Sequence, residues 1–146
     1  MGIARERRDT SVALTSTLHR FETHVLTEER NYQGLARLNA GLIQHATTRS
    51  PNWRVTLDID SSESPVHGAQ EQSADNGHFE SVCYHPLFVF NQHGDCLAAK
   101  LRPGNVHSAA GWDEVLLPIL DGYRAQGHPV VVRADAAFAT PAVYDQ

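Results

Sequence analysis

The sequence predicts a mixed α/β fold. Helices come first, and a sheet follows that combines a three-stranded antiparallel unit, a crossover helix and a parallel fourth strand. Three observations predict this arrangement. Apolar residues recur at helical spacing before residue 47, residues 85–101 are typical of a β-hairpin, and a strand-like run at 129–135 follows an amphipathic helix. A helix between two strands of one sheet favours their parallel pairing.

The composition of the 146-residue chain is that of a single globular domain, with 41% apolar residues and a net charge of −5. The charge is uneven, since residues 1–54 balance to +3 and residues 55–146 to −8. No apolar run approaches the ~20 residues of a membrane helix, and the N-terminus lacks the apolar stretch of a signal peptide. The two cysteines, Cys83 and Cys96, suit free thiols. We therefore expect a cytoplasmic protein without membrane contact.

The first third of the chain is predicted to be helical. Ser16 or Thr17 is a candidate N-cap for a first helix, and a second apolar series ends near Thr47. The segment "RSPN" then breaks the helix, because proline lacks a backbone donor and restricts the residue before it. We accordingly expect a helical segment at residues 1–50 and a sheet-containing domain at residues 51–146.

Residues 53–60 are predicted to form the first strand. Leu57 and Ile59 alternate there with Asp58 and Asp60, which is the period of a half-buried strand. Carboxylates in such a strand are costly unless they are solvated, paired or bound to a metal. The two aspartates therefore need an explanation.

A polar connection and a hairpin follow this strand. The connection covers residues 61–82, and connections of more than about 15 residues are usually functional or disordered. The hairpin is predicted to have strands at 85–91 and 95–101, with its turn at His93 and Gly94.

An amphipathic helix precedes the last strand. Ser108 is its predicted N-cap, Gly127 its C-terminal stop, and Pro118 the position of an expected kink. The run at 129–135 is typical of a buried parallel strand and ends at Asp135. The helix carries an apolar stripe of Ala109, Trp112, Val115, Leu116, Ile119, Leu120 and Tyr123.

The predicted topology brings the exits of the first and fourth strands side by side. Asp58, Asp60 and Asp135 would then lie at one edge of the sheet, where strands about 4.8 Å apart allow carboxylates to share hard cations. Two such cations about 3.5–4 Å apart can activate a nucleophile and stabilise the leaving oxygen in phosphoryl transfer. The pattern therefore indicates divalent-metal chemistry.

Four further residues are candidate DNA or phosphate contacts. Arg102 and Asn105 flank a Pro-Gly turn, where either a phosphate near a helix N-terminus or ordinary turn chemistry would explain them. Arg133 lies two residues before Asp135, so it could pair with the carboxylates or with a phosphate. His67 lies on the long connection beside the aspartates, where a substrate contact and an ordinary loop histidine are both open.

Several motifs together resemble the DDE transposases of bacterial insertion sequences. The segment "LDIDSSESPVHG" is similar to the family's "DST…DPTHG" region, and "NGHFESVCYHPLFVF", "AKLRPGN", "VVVRADAAFA" and upstream "TSTLHRFE" follow in family order. The similarity covers about residues 14–140. It implies a ribonuclease-H-like catalytic core.

The resemblance also implies residue roles. Asp60 matches the first catalytic carboxylate and Asp135 the second, both as ligands of Mg²⁺ or Mn²⁺, with Asp58 as a reserve ligand. The implied partner is double-stranded DNA, at the ends of the element and at the target, and the protein could act as a homodimer. Two departures from the family pattern, Ser62 and Ser64, fall in the loop after the first strand.

Two features lead us to expect a partial copy. The family's third carboxylate is a glutamate well downstream of the second, and no residue here matches it, Asp145 being too close. The family's N-terminal DNA-end-binding region also has no counterpart, and Thr140 with Pro141 predicts the start of another helix at the end of the chain. We therefore expect a DDE domain truncated before the third carboxylate and inactive by itself.

Two alternatives remain at the level of sequence. In a haloacid-dehalogenase-like phosphatase, "DIDSS" would supply Asp58 as nucleophile and Asp60 as acid/base, although Lys100 is the only lysine and lies on a predicted hairpin strand. The second alternative is a non-catalytic remnant of a transposase that only binds DNA or dimerises.

Overall fold

The computed structural model describes residues 14–47, 54–68, 70–77 and 80–145. The chain divides into two compact units, Met1–Asn39 and Ala40–Gln146. No helix in the described ranges is both long enough and apolar enough to cross a membrane.

The N-terminal helices agree with the predicted pattern in extent but not in capping. Helix α1 spans Thr15–Arg20 and continues as a π-helical segment at Phe21–Leu26, and α2 spans Glu29–Thr47. The N-cap of α1 is Leu14, without a side-chain cap bond, so the prediction of Ser16 or Thr17 as N-cap was wrong. Both residues fall inside the first turn.

Seven strands form two sheets in the part of the chain that the structure describes. The larger sheet has the order β6-β5-β1-β7, with β1 antiparallel to β5, β5 antiparallel to β6, and β7 parallel to β1. This topology confirms the predicted antiparallel unit and its parallel neighbour. The strands are β1 (Val55–Ser61), β2 (Ser64–Pro65), β3 (Ala74–Asn76), β4 (Ser81–Tyr84), β5 (Leu87–Asn91), β6 (Cys96–Lys100) and β7 (Val130–Ala134).

A small second sheet of order β2-β4-β3 occupies the region that was predicted to be an irregular connection. Its strands have two to four residues and mostly polar side chains, too few to show a period of two. The loop after β6 packs tightly against it at Gly104. A Cβ built there would lie 2.4 Å from the Cys83 oxygen and 2.5 Å from the Ala74 oxygen, so only glycine fits.

The hydrophobic core lies on one face of the larger sheet. Helix α3, Trp112–Ala125, covers this face, and Leu57, Leu87 and Leu116 are almost completely buried there. The acidic residues alternate with the buried ones along β1, so Asp58 and Asp60 lie on the opposite face. The core also contains Val55, Ile59, Val89, Ala109, Val115, Leu120 and Phe138.

Helix α3 begins and ends at glycines. Its N-cap is Gly111, at φ 68°, so the prediction of Ser108 as N-cap was wrong. At the other end Gly127 adopts φ 74°, and the His128 amide donates to the Tyr123 carbonyl at 3.0 Å. This six-to-one bond is the Schellman arrangement, and it confirms Gly127 as the stop. The helix continues through Pro118.

Strand β7 lies at the edge of the larger sheet. It pairs only with β1 among the described strands, and none of its five residues is buried. The prediction of a buried strand was therefore wrong, because the β-branched run resembles an interior strand whatever its neighbours are. A short 3₁₀ helix at Ala136–Phe138 and helix α4, Pro141–Tyr144, follow it, the latter with Thr140 at its N-cap as expected.

Candidate metal site

The register of the two parallel strands brings Asp60 and Asp135 to neighbouring positions. Ile59 pairs with Ala134, and each aspartate is the next residue along its own chain. Asp60 is the sixth residue of β1, and Asp135 directly follows β7 in extended conformation. Because β1 and β7 are parallel, both residues lie where the strands exit at the same end of the sheet.

Each of these carboxylates is held at one oxygen and open at the other. Asp60 Oδ1 accepts a hydrogen bond from the Ser61 amide at 2.8 Å. Asp135 Oδ1 accepts one from the Ala137 amide at 2.9 Å. Within the described residues, neither Oδ2 has a hydrogen-bond partner. Both side chains are exposed, so solvation offsets the cost of placing two carboxylates at adjacent strand ends.

Asp58 is paired with an arginine. Both of its oxygens accept bonds from Arg133, from Nε to Oδ1 and from Nη2 to Oδ2, each at 2.6 Å. The two residues are direct partners across β1 and β7. The hydrogen bonds to Asp58, and then its charge, raise the pKa of Arg133. The carboxylate proposed as a reserve metal ligand is therefore occupied in this structure.

Arg102 has a structural role that argues against the predicted phosphate contact. It is 4% exposed, and its Nε donates to the His85 carbonyl at 2.7 Å. Its Nη1 donates to the carbonyls of His107, Ser108 and Ala110. Burial lowers its pKa. The guanidinium thus fastens the loop before α3 from inside, whereas neighbouring Asn105 is exposed.

The long connection contains the candidate residue His67 and a side-chain contact that the sequence did not predict. His67 is exposed and follows β2. Glu63, directly before β2, accepts a hydrogen bond from the Ser81 hydroxyl of β4. The sequence carried no signal for the Glu63–Ser81 contact because its residues are 18 positions apart in a region without periodicity. His67 stays a candidate contact on the basis of its exposure alone.

The geometry supports a two-carboxylate site open to solvent. In the described ranges, no group of three or more His, Cys, Asp or Glu side chains could hold a metal ion. Asp135 also lines a groove of about 560 Å³ beside β7, whose walls include Leu120, Val132, Phe138 and Tyr144. Cys83 and Cys96 do not form a disulfide in the described ranges, and Cys96 Sγ donates to the Ala98 carbonyl at 3.4 Å.

Comparison with models of protein families gives a match over the whole chain. The family model described as transposase DDE domain group 1 matches residues 1–146. Comparisons with curated proteins and with solved structures find no significant match.

Proposed function

Because the chain belongs to the transposase DDE domain group 1 family, we propose that it carries the metal-dependent strand cleavage and joining chemistry of a DNA transposase on a ribonuclease-H-like core. The observation that supports this most is the parallel register of β1 and β7, which makes Asp60 and Asp135 neighbours at the sheet's end. The antiparallel β1-β5-β6 unit beside them is the arrangement that such a core requires.

The two aspartates fit a hard divalent cation. Mg²⁺ and Mn²⁺ prefer oxygen ligands, and Mg²⁺ commonly uses one or two carboxylates with waters and substrate phosphates completing its shell. Asp60 and Asp135 each offer an Oδ2 that is uncommitted within the described residues. A bound cation would supply Lewis-acid activation of the attacking oxygen and charge stabilisation of the leaving oxygen.

The protein's own contribution is the placement of these oxygens. The backbone amides of Ser61 and Ala137 fix the rotation of the two carboxylates, so each Oδ2 is oriented before any ligand arrives. DNA would approach the exposed face of the sheet end. The exposed residues Asn105 and His67 are candidate phosphate contacts from the loops. The acidic −8 balance of residues 55–146 opposes binding of a polyanion, so cations would also lower that electrostatic barrier.

The alternatives fit less well. A phosphatase would need Asp58 as a nucleophile, but both oxygens of Asp58 are bound by Arg133. The first strand is also followed by antiparallel strands rather than by a helix. We also propose that this chain is not catalytic by itself, because its described residues offer two of the three expected carboxylates. We expect the 146-residue chain to bind Mn²⁺ and not to cleave DNA.

A titration of the purified chain with Mn²⁺ tests the site directly. The concentration of free Mn²⁺ is measured at each step by electron paramagnetic resonance. Asp60→Asn and Asp135→Asn should each weaken binding at least about tenfold, because a carboxylate ligand and its charge are lost together. Asp121→Asn on α3 is the matched control and should leave the affinity unchanged. Equal affinity in all four proteins would contradict the proposed site.

We propose to test activity in a longer protein that joins this domain to a third carboxylate. There, either asparagine variant should abolish cleavage and joining while DNA binding survives, because cationic side chains carry most of the affinity for DNA. Hydrolysis of p-nitrophenyl phosphate by the 146-residue chain, lost in Asp58→Asn, would instead favour the phosphatase. The proposal also includes two partners, which are the DNA ends of the element and a second copy of the chain in a homodimer.

A further inference from the structure

The pairing of Arg133 with Asp58 has a consequence for the neighbouring cation site. We infer that Arg133 is a positioning residue that keeps Asp58 out of the coordination shell, so that the cation is held by Asp60 and Asp135 alone. The inference rests on the proposed function, because it concerns the ligands of that same site. It predicts that an arginine beside an acidic site lowers the site's affinity for cations.

The geometry leaves Asp58 within reach of the site. Asp58 and Asp60 alternate with buried Leu57 and Ile59, so both lie on the solvent-facing side of β1, about 7 Å apart along the strand. Arg133 of β7 and Asp135, the residue directly after β7, have the same spacing. In the described ranges no three such side chains converge as they stand, so Asp58 would join Asp60 and Asp135 only after its carboxylate left Arg133 and turned along the strand.

Arg133 occupies that third carboxylate completely. The fork of Nε and Nη2 meets both Asp58 oxygens at 2.6 Å, which is the bidentate geometry that arginine favours and lysine cannot make. A cation that recruited Asp58 would have to break two charge-assisted hydrogen bonds. The guanidinium also places one positive charge about 7 Å along the strands from the two carboxylates, and that charge would repel a bound cation.

A purely structural role for the pair makes the opposite prediction. Strand β7 is paired with β1 alone among the described strands. In a purely structural role, the ion pair of Arg133 and Asp58 would hold β7 in register and do nothing else. Loss of Arg133 would then displace Asp135 from Asp60 and weaken cation binding. The sign of the change therefore separates the two roles.

The test is the Mn²⁺ affinity of the full chain in Arg133→Gln. We expect binding about tenfold tighter than in the unchanged protein, because a repelling charge is removed and Asp58 is released. Arg133→Lys should bind with intermediate affinity, since it keeps the charge and frees one Asp58 oxygen. Arg54→Gln removes the same charge about 20 Å away, at the other end of β1, and should change nothing.

A double variant isolates Asp58. In Asp58→Asn the released arginine should weaken Mn²⁺ binding, and Asp58→Asn with Arg133→Gln should return the affinity to about that of the unchanged protein. Unchanged or weaker Mn²⁺ binding in both Arg133→Gln and Arg133→Lys, while circular dichroism shows a folded chain, would overturn this inference. The proposed function would still stand. Absence of Mn²⁺ binding in the unchanged protein overturns the proposed function and this inference with it.

Discussion

At the scale of single residues, Gly104 is a position where the surrounding backbone leaves no room for a side chain. A Cβ there would lie 2.4 Å from one backbone oxygen and 2.5 Å from another, so the loop or the small sheet would have to move. We expect Gly104→Ala to lower the free energy of unfolding by about 3 kcal/mol, as in other overpacked sites. Urea denaturation monitored by circular dichroism measures this difference.

Gly122 is the matched control for that variant. It lies inside α3, is exposed, and a Cβ at this position would meet nothing within 4 Å. Gly122→Ala should raise the free energy of unfolding by about 0.5–1 kcal/mol, because alanine loses less backbone entropy in a helix. Similar effects of the two substitutions would show that crowding at Gly104 is not what limits substitution there.

Single residues also show where sequence reasoning stopped. The alternation along β1 predicted that Asp58 and Asp60 share the solvent face, and the structure agrees. The sequence allowed Arg133 to pair with the carboxylates or with a phosphate. Its pairing with Asp58 in particular depends on which residue of β7 lies opposite, and a register between residues 75 positions apart has no local signal. The burial of Arg102 was hidden for the same reason, since its carbonyl partners come from a loop whose path the sequence does not determine.

At the scale of elements, Tyr123 makes helix α3 sensitive to alkaline pH. Burial, and secondarily the charge of Asp95, raise the pKa of Tyr123 above its ordinary 10.0. The folded state thus favours the neutral phenol, so this stabilisation is complete below pH 10 and is lost as the pH rises through the folded-state pKa. Thermal unfolding between pH 9 and 11.5 should show a smaller alkaline decline for Tyr123→Phe, with Tyr144→Phe, an exposed tyrosine, as control.

The elements differ in how well the sequence predicted them. Helices α2 and α3 and the β5–β6 hairpin have enough residues for a clear period, and they were found close to their true bounds. The strands of the small sheet are too short for one. The capping predictions failed at Ser16 and Ser108 because a polar residue near a helix start is common, whereas the start itself depends on the preceding backbone.

At the scale of the whole sheet-containing unit, the apolar core and the acidic site lie on opposite faces of one sheet. We therefore expect the fold not to depend on a cation, so EDTA should leave the circular dichroism spectrum unchanged. Mn²⁺ at about 100 times its dissociation constant should raise the free energy of unfolding by about 2.7 kcal/mol, because the ion binds only the folded state. Denaturation that follows chelation would contradict this separation of core and site.

The separation of 75 positions between Asp58 and Arg133 also determines the order of events during synthesis. At about 5–20 residues per second, the ribosome adds the arginine about 4–15 s after the aspartate. The β1-β5-β6 unit can form within that interval, but the two-carboxylate edge cannot exist until β7 has been made. We therefore expect a divalent cation to stabilise the sheet only after β7 has paired with β1, and not to nucleate its folding.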